Sequence, residues 1–164
     1  MTLPFIEAAV VFPFILVIGL WTAYYDMREM KITNKTVLAL AGVFILIGWL
    51  LMPLDVYGWR LLSLVIVLVV TFILNAIGVM GGGDAKFIAA AAPFVAAGDW
   101  GNVALILSAT MISALILLFI AKRTAFRTMT EDWKCWSVRG RIPLGLALGS
   151  TMIIYYGAAV LAGL

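Results

Sequence analysis

Long apolar runs separated by short polar links dominate the chain, with six such runs at residues 3–25, 37–52, 61–79, 85–97, 103–121 and 142–164. A helix needs about 20 apolar residues to cross the hydrocarbon core of a bilayer, so the pattern predicts an all-α, polytopic membrane protein with six transmembrane helices. The fourth run is short, rich in alanine and broken by Pro93, features that also suit a re-entrant loop. Between the fifth and sixth runs lies the only extended polar stretch, residues 122–141, whose aromatic residues suit a membrane interface.

Charge decides the fourth run. With six crossings, Arg28, Lys31 and Lys35, then Lys86, then Lys122, Arg123, Arg127, Lys134, Arg139 and Arg141 fall on one side, ten of the eleven basic residues, with Arg60 alone opposite. Basic loops stay cytoplasmic, which places both termini outside. Were the fourth run not to cross, the most basic loop would lie outside instead. Composition agrees: 65% of the 164 residues are hydrophobic, 12% are charged and the mean hydropathy is +1.17, values a soluble domain could not carry on its surface. The apolar runs fill residues 1–164 as one transmembrane domain, with no evident repeat and none of the inverted symmetry of transporters. The opening MTLPFIEAAVV lacks a basic leader region and carries Glu7, so it reads as a retained first helix rather than a cleaved signal.

Histidine is absent and Cys135 is the single cysteine, which removes the commonest general base, an internal disulfide and any paired-cysteine metal site. No cofactor, metal or nucleic-acid partner is expected, the surrounding partner is the lipid bilayer, and the oligomeric state is not set by the sequence. Chemistry must run on carboxylates, hydroxyls or lysines. Of the acids, Glu7, Asp55 and Asp99 read as helix-end and turn residues, and Glu131 and Asp132 as charge balance within the basic loop.

Asp26 ends the first apolar run and Asp84 opens the fourth, so both lie at the cytoplasmic boundary, where an acid close to lipid is costly to keep charged. Each has a plain structural reading, Asp26 as a helix end and Asp84 as an N-cap. Together they are the smallest set able to hydrolyse a peptide without metal or histidine: one ionised carboxylate activates water while its protonated partner polarises the carbonyl. Like-charge repulsion makes such a pair share one proton. Helix macrodipoles, worth about 0.3–1 kcal/mol each, favour the anion at Asp84 and disfavour it at Asp26, which assigns Asp84 as base and Asp26 as acid.

Gly81-Gly82-Gly83-Asp84 resembles the GxGD motif of intramembrane-type aspartyl peptidases, and its extension through Lys86 and Phe87 is similar to the GxGDxK(L/F) form of type IV prepilin peptidases. Asp26-Met27-Arg28 followed by Ile32-Thr33-Asn34 resembles that family's D-x-R and I-P-N block, with Thr33 where proline is usual. Arg141-Ile142-Pro143-Leu144-Gly145 is similar to its P-x-G block. The resemblance implies a membrane-embedded endopeptidase with Asp26 and Asp84 as the catalytic pair, supported by Gly81, Gly83, Lys86, Asn34, Pro143 and Gly145. It also implies the substrate: a prepilin-like protein, cut at the cytoplasmic face of the bacterial inner membrane between its basic leader and its hydrophobic segment. Larger members carry paired CxxC motifs and methylate the new N-terminus. With neither those cysteines nor that length, this chain resembles the short, cleavage-only branch of tight-adherence (Flp-type) pili, and methyltransferase activity is not expected.

The glycines before Asp84 are expected to take positive φ and to let an extended substrate approach without Cβ obstruction. Lys86, about 200° round an ideal helix from Asp84, reads as a cytoplasmic anchor, Asn75 as an interhelical hydrogen-bonding residue or a brace for the pair, and Asn34 as a loop-orienting residue or a cap. Two other classes compete: a small ion- or proton-coupled transporter, for which acids nearer the bilayer centre would be expected, and a non-catalytic membrane subunit of a pilus or secretion assembly.

Overall fold

The structure, a computed structural model, describes residues 2–137 and 142–163. Arg139 and Arg141 of the basic cluster, the latter also opening the P-x-G block, lie outside the described residues, as does Leu164. Among the described residues there is no strand. Five helices are long and apolar enough to cross a membrane: α1 (Phe5–Glu29), α2 (Asn34–Leu51), α3 (Leu54–Ala76), α5 (Trp100–Ala121) and α7 (Leu144–Ala162). The chain is a multi-pass membrane protein. Two shorter helices, α4 (Gly82–Ala91) and α6 (Phe126–Met129), complete it, followed by 3₁₀ turns at Ala92–Phe94 and Lys134–Trp136.

α1 and α7 form the centre. Gly19 and Gly149 meet at their crossing so closely that a Cβ on Gly19 would lie 2.9 Å from the Gly149 carbonyl oxygen. Small residues permit this backbone contact, and without a hydrophobic driving force between helices in lipid, such close packing is what holds them. α2 and α4 pack around this pair, α3 against α4, and α5 against α7. Hydroxyls tie the outer helices on: Thr71 of α3 donates to the Ala85 carbonyl at 3.1 Å, and Thr110 of α5 shares a 2.8 Å hydrogen bond with Thr151 of α7.

The fourth apolar run is α4, at ten residues shorter than a membrane span on its own. Its alanines explain its place: Ala85, Phe87 and Ala89 to Ala92 are all buried, so the helix sits inside the bundle where only small side chains fit. After Pro93 the chain turns and becomes extended at Val95. Irregular backbone is tolerated at membrane depth only where protein satisfies it, and two tyrosines of α7 do so. Tyr156 donates to the Phe94 carbonyl at 3.1 Å, and the Ala96 N–H donates to the Tyr155 hydroxyl at 3.2 Å.

Boundaries differ from the sequence pattern where polar residues continue a helix. α1 runs beyond residue 25 to Glu29 and is stopped by Met30, whose left-handed conformation (φ 55°) closes its N–H onto the Asp26 carbonyl at 2.8 Å. α3 begins at Leu54, directly after Pro53, rather than at 61. Its first turns contain Asp55 and Arg60, charges that mark a loop in the sequence but here find a helix N-terminus and a buried partner.

That partner is Glu7. The buried Arg60 guanidinium donates to both Glu7 carboxylate oxygens, joining α3 to α1. Asp99, also read as a plain turn residue, is instead a buried hub. It accepts hydrogen bonds from the N–H groups of Thr2 (2.8 Å) and Leu3 (3.2 Å), the Asn102 amide (3.1 Å) and the Tyr155 hydroxyl (3.0 Å). Burial pushes its carboxyl up, but these hydrogen bonds outweigh burial and hold it below the usual carboxylate range. The end of the bundle at the start of α1 is thus locked by two buried acids.

Candidate active site

The opposite end is open. A cavity of about 800 Å³ lies between the Met30–Ile32 link, the 78–84 segment and the start of α7, and both Asp26 and Asp84 line it. Three elements bring them there. Asp26 lies in the last turn of α1 and is buried; Asp84 lies in the first turn of α4 and is half-buried. The N-terminus of α7 closes the third side through Ile142 and Leu144.

Asp26 owes its position to Gly145. The Gly145 N–H, one of the first-turn donors of α7 that have no partner within the helix, donates to Asp26 Oδ2 at 2.6 Å. A Cβ on residue 145 would lie 2.7 Å from Asp26 Cβ and 2.9 Å from Oδ2, so only glycine lets the backbone come this close. Pro143, fully buried at the N-cap of α7, fixes the entry of the chain into that turn. This contact changes the macrodipole argument. The α1 C-terminus disfavours an anion at Asp26, but the α7 N-terminus facing it favours one, so dipoles no longer separate the two acids into base and acid.

The three glycines do not behave as the sequence suggests. α4 starts at Gly82, so Gly82 and Gly83 are helical and Gly81 is the N-cap with φ −67°; the positive φ falls upstream, at Gly78 (φ 80°). Asp84 is therefore within the first turn rather than the N-cap itself. What the glycines supply is room. A Cβ on Gly83 would stand 3.0 Å from the Ile32 carbonyl oxygen and 3.3 Å from Ile32 Cβ, and one on Gly81 would stand 2.7 Å from Asp84 Oδ2. Gly83 lets α4 press against the link after α1, and this brings the two acids to one cavity.

The remaining candidates act at the margins. Thr33, in the place where the resembled block has proline, is the N-cap of α2, its hydroxyl accepting from the Thr36 N–H at 3.3 Å. Asn34 is thus not the cap; its side-chain Oδ1 accepts from Lys86 Nζ at 3.2 Å, an exposed link between α2 and α4. Asn75 of α3 donates to the Met80 carbonyl at 2.7 Å and so holds the 77–81 segment beside the cavity. Glu29, which the sequence reading passes over, pairs with Lys134 at 2.6 Å and ties the loop after α5 to the end of α1. Among the described residues, no group of three or more His, Cys, Asp or Glu side chains is gathered in metal-binding fashion.

Two acids on different helices of a membrane protein thus face one cavity. The sequence profile of the type IV leader peptidase family matches residues 11–121, and the chain belongs to that family. The match includes Asp26 and Asp84 and stops short of the Gly145 contact. Searches against characterised proteins and solved structures return no match.

Proposed function

We propose that the chain is a prepilin leader peptidase in which Asp26 and Asp84 act as one acid–base pair. The observation that carries this reading is their shared cavity, reached by two different helices. One carboxylate, ionised, takes a proton from water as it attacks the scissile carbonyl; the other, protonated, polarises that carbonyl and later gives its proton to the leaving amine. The roles exchange over a turnover. Gly81, Gly83, Pro143 and Gly145 serve by keeping the backbone close to the two carboxylates, and Asn34 with Lys86 by linking α2 to α4.

The substrate is a prepilin-like protein, entering as an extended chain with its basic leader on the cytoplasmic side and its hydrophobic segment in the bilayer. Six crossings fit the charge distribution: α4 and the chain to Asp99 together make the fourth, both termini lie outside, and the cavity opens at the cytoplasmic face of the bacterial inner membrane. Arg60 does not disturb this count because Glu7 neutralises it. The domain is a single transmembrane unit. With one cysteine in 164 residues and hence no paired CxxC, the chain resembles the Flp-type branch and cleaves without methylating.

Co-expression with a Flp-type prepilin tests the reaction and substrate class. Mass measurement of the processed pilin is expected to give one cut between leader and hydrophobic segment and an unmethylated amine. An uncut prepilin would refute the reading.

A further inference from the structure

Away from the paired aspartates, the loop after α5 encloses a second, open cavity of about 470 Å³, lined by Arg127, Thr128, Glu131, Trp136 and Ser137. Its surroundings suit a membrane interface. Phe126 packs edge-on against Trp133 at 5.6 Å and Trp136 at 6.3 Å, and Trp133 in turn packs edge-on against Tyr24 of α1 at 5.6 Å. Such Trp and Tyr clusters at the ends of apolar helices mark the headgroup level. Met129, 82% exposed, and Phe126, 42% exposed, offer apolar surface beside the cavity.

The polar groups of the cavity are divided by chemistry. The Thr128 hydroxyl gives its proton to the Ala125 carbonyl at 2.7 Å and the Ser137 hydroxyl gives its own to the Lys134 carbonyl at 3.1 Å, so both present lone pairs. Trp136 spends its N–H on Thr130 at 2.8 Å, leaving its ring as a surface for a cation. With the Glu131 carboxylate, these make an acceptor set for an ammonium group. Among the described residues lining the cavity, Arg127 is the one donor of positive charge, and it forms no ion pair with Glu131.

We infer that this cavity binds the headgroup of a zwitterionic phospholipid with a primary ammonium, phosphatidylethanolamine, with phosphate on Arg127 and ammonium on Glu131, Thr128 and Ser137. A basic peptide would satisfy Glu131 but would meet Arg127 with like charge; the zwitterion answers both. The acyl chains continue over Phe126 and Met129 into the lipid around α5. The inference does not depend on the peptidase reading.

Native mass spectrometry of the full chain, released from detergent with equal amounts of phosphatidylethanolamine, phosphatidylcholine and phosphatidylglycerol, tests it. The parent is expected to retain the ethanolamine lipid above the other two. Arg127→Gln is expected to lower retention of phospholipid by about tenfold, the worth of one charge-assisted hydrogen bond, and Glu131→Gln to abolish the preference for ethanolamine over choline. Circular dichroism of both variants controls for folding. Equal retention of the three lipids, or a preference unchanged in Glu131→Gln, would overturn the assignment. So would binding of soluble phosphoethanolamine as tight as that of the lipid, or Glu131-dependent capture of a lysine-rich leader peptide in place of lipid.

Discussion

At the scale of single residues, the site depends on atoms that are missing. Gly145 has no Cβ, and its N–H therefore reaches Asp26 at 2.6 Å; Gly83 has none, and α4 therefore lies against the backbone of Ile32. Gly145→Ala is expected to push α7 off Asp26 and to cut prepilin cleavage by more than about tenfold, the loss of one hydrogen bond to a charged group, while the protein still reaches the membrane. Gly83→Val is expected to abolish cleavage, with Gly83→Ala intermediate. Gly42→Ala is the control: nothing lies within 4 Å of its added Cβ, and alanine in place of glycine inside a helix is expected to stabilise by about 0.5–1 kcal/mol. Cleavage by Gly145→Ala at the parent rate would show that the contact does not matter. The motif made the identities of these glycines legible in the sequence, but not their reason. Local conformation suggests positive φ before Asp84, whereas Gly83 and Gly145 lie against Ile32 and Asp26, residues distant in the chain.

At the scale of elements, the far end of the bundle is held by charges that local sequence reads as turn and loop residues. Arg60→Gln leaves the buried Glu7 carboxylate without its partner and is expected to destabilise by about 3–5 kcal/mol, whereas the double change Glu7→Gln with Arg60→Gln is expected to cost less than the sum of the single changes. Thermal unfolding in detergent measures the cycle; simple additivity would mean the pair does not couple. Asp99 gives a pH signature. Its carboxyl is held low in the folded protein, so its contribution is complete above the ordinary aspartate pKa and is lost as pH falls through the lowered folded value. The stability gap between the parent and Asp99→Asn is therefore expected to be widest at neutral pH and to narrow on acidification below about pH 4. A gap that widens would contradict the hub. Neither Glu7–Arg60 nor the Asp99 hub was legible, because each joins segments about fifty or more residues apart and nothing in a turn such as GDWGN announces the groups that will donate to it.

For the whole molecule, hydropathy gave the five long helices and charge asymmetry argued for a sixth crossing at a segment that turns out to be α4, ten residues long and inside the bundle. What hydropathy could not give is how a buried break after Pro93 is tolerated, since that rests on Tyr155 and Tyr156 of a helix sixty residues away. The six crossings proposed have a direct consequence for access. In a Cys135→Ala background, a cysteine at Thr128 is expected to react with an impermeant thiol reagent only from the cytoplasmic side, and one at Asn102 only from the outside. The reverse pattern, the cysteine at Thr128 labelled only from the outside and the one at Asn102 only from the cytoplasmic side, would remove the fourth crossing.

The central claim is that Asp26 and Asp84 work as one unit. The measurement that tests it most directly is cleavage, in detergent and in excess chelator, of a prepilin segment spanning leader and hydrophobic start, by the purified parent and by Asp26→Asn and Asp84→Asn. The parent is expected to cleave in chelator with a bell-shaped dependence on pH, and each variant to be inactive although folded. Normal cleavage by either variant would contradict the account.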